Sequence, residues 1–336
     1  MPGAAGFPAA SLVRFNGVIM AIDVTILLVN YNTRHLLETC FGRLQQASAG
    51  LAAQTIVVDN SSADDSIDFI RQRWPGWVLL ANRQNVGFGR ANNQALPLVE
   101  GRYLLLLNTD AFVAPDTLEK TVAYMDAHPR CGVLGVRLVG RDGELQPSAR
   151  YFPTPWNLFL QRNGLSRFFP GARLMDDLAW PHDAVRHCDW VPGCYYLVRR
   201  EVIEQVGLFD PRYFLYYEEV DHCLATKRAG WEVTFFPHTS VVHLGGESAK
   251  SAGDVTPSGR QIEALQIESE LLYFRKNHGL RAMLANVALT IAGDALQVVK
   301  RLLKGRRPLA LGAYWKHARL VVSLLGRTRW GTRPTR

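Results

Sequence analysis

The first 140 residues alternate between short apolar runs and segments with helical spacing of apolar side chains. Residues 24–30, VTILLVN, and 102–108, RYLLLLN, are almost uniformly apolar, which is typical of strands buried on both faces. Residues 34–46 instead repeat their apolar positions every three to four residues, as one face of a helix does. Strands that alternate with helices at this spacing predict an α/β fold with a doubly wound, mostly parallel sheet.

The predicted elements of this half follow from the same reading. We predict strands at 24–30, 55–60, 77–82 and 102–108, and helices at 34–46, 64–74, 90–99 and 115–128, with Pro97 bending or ending the third helix. Residues 131–250 are different, with short apolar pieces, many aromatic side chains and loops rich in proline and glycine. They predict an α+β half, in which residues 189–207 form a strand and then a helix, and residues 231–246 form two short strands.

From residue 281 onward the pattern becomes amphipathic and helical. It predicts one helix at 281–304, ended by Gly305 and Pro308, and a second apolar stretch at 309–326. We therefore divide the chain into four parts. They are an N-terminal extension (1–22), the first half of the main domain (23–140), its second half (141–280) and a helical tail (281–336).

Every predicted strand of the first half ends in polar residues. These are Asn30 and Asn32, Asp59 and Asn60, Asn82 and Asn85, and Asn108 and Asp110. Because the carboxyl ends of parallel strands share one edge of a sheet, the set predicts a lined cleft there. The alternative is that these are turn-forming residues only.

Asp110 is the most informative of them, because the run LLLL of residues 104–107 stops at Asn108-Thr109-Asp110. A carboxylate is costly inside a core, so Asp110 is expected where the strand emerges. There it could ligate a divalent cation, with Asn108 or a distant histidine, if the substrate brings a diphosphate. The alternative is an aspartate that starts a turn before Pro115.

A second acidic group follows an aromatic run in FLYYEEVDH, residues 214–222. Glu218, Glu219 and Asp221 lie close together there. Apolar surroundings and neighbouring negative charge both raise the pKa of a carboxyl, which suits a general base. The alternative is an acidic first turn of a helix, and both can hold for different members.

Several other classes of site are disfavoured. The stretch NVGFGRANNQA, residues 85–95, lacks the third glycine of a dinucleotide fingerprint and follows the third strand, so an NAD-dependent oxidoreductase is disfavoured. No P-loop motif occurs. The five cysteines are dispersed, which argues against a disulfide framework, and Cys188 and Cys194 beside His187 match no common zinc spacing.

Charge separates the tail from the rest of the chain. Residues 1–270 hold 24 Lys and Arg against 29 Asp and Glu, whereas residues 271–336 hold 14 Lys and Arg against Asp294 alone. Basic amphipathic helices, with Trp315 and Trp330 near their edges, predict attachment to an anionic membrane surface. A helical cap or a homodimer contact is the alternative. Nucleic-acid binding is disfavoured because no recognised motif accompanies the charge. No uncharged 18-residue apolar run appears, so no clear transmembrane helix is expected.

An ordered set of motifs between residues 23 and 250 resembles family 2 glycosyltransferases with a GT-A fold, within them the rhamnosyltransferase-like branch that builds bacterial cell-surface polysaccharide. The matching pieces are VTILLVNYN, IVVDNSS, NVGFGRANNQA, LLLLNTD, VPGCYYLVRREVIEQVGLFD, FLYYEEVDHCLATKRAG and VVHLGGES. The resemblance implies an inverting, metal-dependent transferase that uses Mg²⁺ or Mn²⁺. It would take a nucleotide sugar, with dTDP-L-rhamnose favoured, and a saccharide or lipid-linked saccharide acceptor. With such an acceptor, the basic tail predicts a cytoplasmic enzyme attached peripherally to the inner face of the cytoplasmic membrane.

The resemblance also implies residue roles. Asp110 would be the metal ligand, with Asn108 in place of the usual first acid, and His243 would help the metal or the diphosphate. Glu219 falls at the catalytic base, although the Glu-Glu pair leaves Glu218 as an alternative. Gly193 would shape the acceptor side. The remaining implied positions border the nucleotide or sugar: Asn30, Tyr31, Asn32, Asp59 (on the base edge), Asn85, Gly87 and Asn92. Two alternatives stay open, a UDP-sugar-dependent transferase of the same fold and a non-catalytic sugar-nucleotide-binding relative.

Overall fold

A computed structural model of the chain describes residues 12–15, 18–178, 180–245, 259–303 and 311–336. Two predicted features lie outside the described residues. They are the last three residues of VVHLGGES and the predicted helix end at Gly305 and Pro308.

The secondary structure is as follows. The strands are β1 Leu12–Phe15, β2 Val18–Ala21, β3 Val24–Asn30, β4 Ala53–Asp59, β5 Val78–Ala81, β6 Tyr103–Asn108, β7 Ala111–Val113, β8 Cys131–Val139, β9 Leu145–Gln146, β10 Arg186–His187, β11 Tyr195–Arg199 and β12 Glu232–His243. The helices are α1 Arg34–Ala47, α2 Ser66–Arg73, α3 Phe88–Gln94, α4 Thr117–Ala127, α5 Pro155–Arg162, α6 Arg200–Val206, α7 Glu218–Arg228, α8 Gly259–Leu303 and α9 Leu311–Arg327.

One sheet runs through both halves of the main domain, in the order β10-β12-β8-β11-β6-β3-β4-β5, with β7 beside β12 and β9 beside β8. Strands β3, β4, β5 and β6 are mutually parallel, as the alternating pattern predicts. Strand β11 then pairs antiparallel with both β6 and β8, while β8 and β12 are parallel. The two core layers lie on the two faces of this sheet, which explains the uniformly apolar strands.

The second half differs from the prediction in two places. Residues 232–243 form one strand, not two, although its pairing with β8 shifts between Phe236 and Ser240. Pro237 lies at that shift, and because proline has no N–H it interrupts the ladder without ending the strand. Strand β8 was not predicted, because Gly132, Gly135 and Arg137 interrupt its apolar run.

The first C-terminal helix begins earlier than predicted, and both C-terminal helices are part of the main core. Helix α8 starts at Gly259, and Gly279, with φ 82°, breaks its helical geometry just before the predicted start at residue 281. Both α8 and α9 contribute side chains to the core layer that also holds α7: Leu271, Leu272, Tyr273, Phe274, Met283, Val287, Val321 and Leu324. The C-terminal helices therefore form the helical cap that the sequence offered as an alternative to membrane attachment.

Candidate active site

A cavity of about 300 Å³ opens at the carboxyl ends of the parallel strands. Its walls come from the ends of β3, β4 and β6, the loop after β5, the loop before β11, residues 214–219 and the end of β12. The lining residues are Val29, Tyr31, Asn60, Asn85, Gly87, Phe88, Asn108, Thr109, Asp110, Pro192, Gly193, Cys194, Phe214, Leu215, Tyr216, Glu218, Glu219 and His243.

The sheet topology explains why the cavity lies there. The chain passes from β3 outward to β4 and β5, and then returns to place β6 on the other side of β3. Asn30 of β3 lies opposite Asp59 of β4, and Val29 lies opposite Asn108 of β6, so these strands end level with one another. A crevice forms where the strand order reverses, and this is where ligands bind in open α/β sheets.

The structure brings most of the predicted site residues to this cavity. Nine of them line it: Tyr31, Asn85, Gly87, Asn108, Asp110, Gly193, Glu218, Glu219 and His243. Asn30, Asn32, Asp59 and Asn92 are buried and do not line it.

Asn30 and Asp59 form a buried layer beneath the cavity. The Asn30 amide donates to Asp59 Oδ2 at 2.7 Å and to Ser62 Oγ at 3.0 Å, while its Oδ1 accepts from Thr33 Oγ1 at 2.6 Å. The backbone N–H of Ser62 donates to Asp59 Oδ1 at 2.9 Å. Asn32 lies in the same layer, with its Oδ1 accepting from Ala63 N at 2.6 Å. These contacts fix the ends of β3 and β4 relative to each other.

A second amide layer faces the cavity. Asn60 Nδ2 donates to Asn85 Oδ1 at 2.8 Å, and its own Oδ1 accepts from Asn82 Nδ2 at 3.0 Å and from Val86 N at 3.0 Å. Asn92 donates to the Phe88 carbonyl at 2.9 Å, but its buried Oδ1 has no partner among the described residues. The cavity wall before α3 is therefore held by side-chain amides.

Gly87 allows two segments of this wall to touch. Its φ is 87°, and a Cβ there would lie 2.5 Å from the Phe214 carbonyl oxygen. The next N–H, of Phe88, donates to that same oxygen at 2.8 Å. No other residue type fits this conformation at this distance, so Gly87 sets how closely α3 approaches residues 214–219.

Asp110 and His243 face each other across the cavity floor. His243 Nε2 lies 3.6 Å from Asp110 Oδ1. Gln146 of β9 orients the ring: its Nε2 donates to the His243 carbonyl at 2.9 Å, so its Oε1 is the acceptor for His243 Nδ1, also at 2.9 Å. That leaves the proton on Nδ1 and the lone pair on Nε2 directed at Asp110. Burial lowers the pKa of His243 and Asp110 opposes it, so the neutral form is favoured.

This pair fits a divalent cation that a substrate helps to hold. A carboxylate oxygen and a neutral imidazole nitrogen are both metal ligands, and the Gln146 contact is the outer partner that a ligating histidine usually has. Among the described residues no group of three or more His, Cys, Asp or Glu side chains could hold a metal ion. The chain would supply two ligands, which suits Mg²⁺ or Mn²⁺ when phosphate oxygens complete the set.

The Glu218–Glu219 pair lies at the start of α7, on the opposite wall. Burial and the charge of Glu219 raise the pKa of Glu218 well above its usual range, and burial also raises the pKa of Glu219. Arg150 opposes the shift of Glu219. Each residue has a buried Oε2 without a partner among the described residues. Because two adjacent buried carboxyls do not both ionise readily, the stronger rise in the pKa of Glu218 favours Glu219 as the member that ionises.

A strained turn and helix α8 place this pair. Tyr216 and Tyr217 have φ of 70° and 69°, a left-handed conformation that costs about 1–3 kcal/mol each. Glu270 of α8 is buried and accepts from the Tyr217 hydroxyl at 2.9 Å, and Ser269 Oγ donates to the Leu215 carbonyl at 2.8 Å. Glu270 also pairs with Arg162 of α5. Contacts with the C-terminal helix therefore offset the strain.

Sequence reasoning missed several residues of the site. Asn60 was noted at a strand end, but only its neighbour Asp59 was assigned to the site. Because side chains alternate along a strand, only one of the two faces the cavity. Phe214 and Tyr216 carried a weaker signal, as part of the aromatic run before the acidic group. Gln146 gave no signal at all, because its role depends on a two-residue strand that pairs with β8.

The family model described as glycosyl transferase family 2 matches residues 25–182. Residues 25–182 belong to this family. This glycosyltransferase is 29% identical, over 238 residues, to the N-acetylglucosaminyl-diphospho-decaprenol L-rhamnosyltransferase of Mycobacterium tuberculosis, and the match covers 65% of this chain and 75% of that one. It is 26% identical over 179 residues to the rhamnosyltransferase WbbL of Escherichia coli, covering 49% and 63%. The rhamnosyltransferase-like assignment is confirmed.

Solved structures share the fold of this glycosyltransferase at low identity. A mannosyltransferase from Pyrobaculum calidifontis, solved with GDP-Man and Mn²⁺, superposes with a TM-score of 0.54 at 16% identity, covering 92% of this chain and 89% of that one. GalNAc-T7, solved with UDP, GalNAc and Mn²⁺, gives a TM-score of 0.52 at 14% identity, covering 76% and 48%. The GT-A fold class is confirmed.

Proposed function

We propose that this enzyme is an inverting, metal-dependent rhamnosyltransferase that moves L-rhamnose from dTDP-L-rhamnose to a lipid-linked saccharide in cell-surface polysaccharide synthesis. The observation that carries the proposal is the meeting, in one cavity, of the Asp110–His243 pair with the Glu218–Glu219 pair. The first suits a cation that a diphosphate helps to bind, and the second suits proton removal from a hydroxyl. The names of the two relatives favour rhamnose as the sugar.

The two pairs divide the chemistry between opposite walls. Asp110 Oδ1 and His243 Nε2 would hold Mg²⁺ or Mn²⁺, which would neutralise charge on the departing diphosphate. Tyr31, Asn85 and Asn108 line the same side and would border the nucleotide and sugar. Asp59 and Asn30 would act from beneath by fixing the strand ends, with Asn32 and Asn92 packed beside them.

Glu219 would take the proton from the acceptor hydroxyl. A Cβ built on Gly193 would lie 3.9 Å from Glu219 Cβ, so the space over Gly193 is where the acceptor would enter. The activated hydroxyl would attack the anomeric carbon on the face opposite the departing diphosphate. One such displacement inverts the configuration and needs no covalent intermediate.

The exposed surface of the C-terminal helices supports peripheral attachment to the inner face of the cytoplasmic membrane. Trp315, Val322 and Trp330 are 68%, 55% and 54% exposed, beside the basic residues Lys316 and Arg319. Large apolar side chains next to lysine and arginine are typical of helices that lie in a membrane interface. By length and composition alone the helix Gln261–Leu303 could also cross a membrane, which is weak support because its first part is packed in the core.

A screen of nucleotide sugars with Mg²⁺ or Mn²⁺ tests the donor and the reaction type. We expect the parent enzyme to release nucleoside diphosphate from dTDP-L-rhamnose. The Asp110→Ala variant should release it only at background level. Release from a UDP-sugar in its place would favour the UDP-sugar-dependent alternative. Release from no nucleotide sugar by the parent enzyme, with binding retained, would favour the non-catalytic alternative.

A further inference from the structure

A basic pocket lies beside the candidate active site, in the turn that follows α9. It has a volume of about 350 Å³ and is lined by Arg327, Arg329, Arg333, Pro334 and Thr335. None of these five residues is acidic. Within the part of the chain that the structure describes, no carboxylate forms an ion pair with any of the three arginines. All three arginines are exposed, and three guanidinium groups around one concave space favour the binding of an anion with several oxygens there.

The turn that forms the pocket is firmly built. Arg329, Trp330 and Gly331 all have positive φ, of 49°, 59° and 70°. A Cβ on Gly331 would lie 2.6 Å from the Leu271 carbonyl oxygen, so the turn presses against α8. Buried Thr328 accepts from the Gly331 N–H at 3.1 Å through its Oγ1. The three arginines are therefore projected from an ordered backbone.

The pocket is joined to the active-site wall by the next residues of the chain. Thr335 lines the pocket, and its N–H and hydroxyl donate to the two carboxylate oxygens of buried Glu268 at 2.6 and 2.8 Å. The guanidinium of Arg336 lies over the ring of Phe214, 5.1 Å from its centroid, and Phe214 lines the active-site cavity. The three residues from Arg333 to Arg336 span at most about 10 Å. A short saccharide can bridge that separation.

We propose that Arg327, Arg329 and Arg333 bind the diphosphate group of a polyprenyl-diphosphate-linked acceptor and so direct its saccharide toward Glu219. This rests on the proposed function. Arginine pairs with phosphate oxygens through two parallel N–H donors, and a diphosphate offers enough oxygens for all three side chains. Trp330 is in the same turn and is 54% exposed, so its ring would contact the first lipid units outside the pocket.

The proposal is tested by binding of farnesyl diphosphate to the full chain, without vesicles, metal or nucleotide sugar. Kd is read from tryptophan fluorescence for the parent, for Arg329→Gln/Arg333→Gln, and for Lys316→Gln/Arg319→Gln. The last variant removes the same charge from the exposed face of α9, outside the pocket. We expect at least a tenfold rise in Kd for the pocket variant, less than a twofold rise for the control, and weak binding of farnesol to all three.

Three outcomes would overturn the proposal. They are an unchanged Kd in the pocket variant, an equal loss in both variants, and equal binding of farnesol and farnesyl diphosphate by the parent. A separate arm uses phosphatidylglycerol vesicles, to which both variants should bind alike. If only the pocket variant fails to bind the vesicles, and it still binds farnesyl diphosphate as the parent does, the arginines bind lipid headgroups instead. Because no donor is present, these results do not depend on the sugar-transfer assay, whose failure would be seen separately.

Discussion

At the residue scale, Asp110 and Glu219 carry different parts of the proposed chemistry, and each can be tested alone. Asp110 lies two residues beyond the end of β6, whose leucines at 104–107 are buried, and it is itself only 5% exposed. A buried acid in that position is costly unless something compensates its charge. The neutral His243 ring turns its Nε2 lone pair toward Asp110, and a carboxylate oxygen and an imidazole nitrogen are both ligands for a divalent cation.

Asp110→Ala should abolish sugar transfer and leave the fold intact. Loss of a metal-held leaving group should raise the barrier by several kcal/mol. Transfer would be measured at saturating Mg²⁺ or Mn²⁺. Asp116→Ala is the control, because Asp116 is a nearby acid that pairs with Lys120. Activity within threefold of the parent would show that Asp110 does not hold the metal.

Glu219→Gln should keep donor binding and lower the turnover rate by about 10²–10⁴, since the amide cannot accept a proton. Glu218→Gln should retain most of the turnover, because its carboxyl already holds a proton. The base must be ionised, and burial raises its pKa, so kcat should fall as the pH drops through a pKa above the usual glutamate value. The pH profiles of both variants are the measurement. If Glu218→Gln shows the large loss instead, Glu218 is the base.

The same pair gives a stability prediction of known sign. A carboxyl whose pKa is raised in the folded state favours folding when protonated, so its contribution is present at low pH and is lost as the pH rises through the raised pKa. Glu218→Gln should therefore raise the unfolding temperature above neutral pH and change it little near pH 4. Unfolding followed by circular dichroism at both pH values would measure this. A variant less stable than the parent above neutral pH would contradict the proposed burial cost.

At the element scale, the cavity depends on how closely α3 approaches the 214–219 segment. Gly87→Ala should destabilise the enzyme by about 1–3 kcal/mol, because its Cβ would press on the Phe214 carbonyl and its φ is positive. Gly76→Ala is the matched control, since nothing lies within 4 Å of its would-be Cβ. Denaturant unfolding gives the free energies. Equal effects of the two substitutions would mean that the contact at Gly87 is relaxed in solution.

At the scale of the whole molecule, the tail is both part of the core and a candidate membrane surface. Ending the chain near Gly279 would remove Met283, Val287, Val321 and Leu324 from the core, so that truncation would confuse loss of binding with loss of folding. Substitution of exposed side chains avoids the problem.

Trp315→Gln/Trp330→Gln should reduce co-sedimentation with anionic vesicles at low salt and leave donor hydrolysis unchanged. Both rings are more than half exposed, and tryptophan is a preferred anchor at membrane interfaces. Leu178→Gln is the control, because Leu178 is 67% exposed but lies in the α+β half. Binding of the double variant equal to that of the parent would place the membrane contact elsewhere.

The sequence by itself determined the alternating half of the fold and most of the cavity lining. Strands β3, β4, β5 and β6 were predicted within two residues of their observed ends, because buried parallel strands are uniformly apolar and stop at polar residues. Parallel strands also bring their carboxyl ends to one edge, so Tyr31, Asn85 and Asp110 could be placed together without coordinates. The ordered motifs identified the family, which the family model confirmed.

Only the tertiary structure decided which polar residues face the cavity and what supports them. Side chains alternate at the end of β4, so Asp59 points into the layer beneath the cavity and Asn60 faces the cavity. Composition does not reveal this difference of one residue. The contacts Gln146–His243 and Glu270–Tyr217 join residues 97 and 53 positions apart. Local pattern carries no signal for such pairs, because their partners meet only when distant strands and helices pack together.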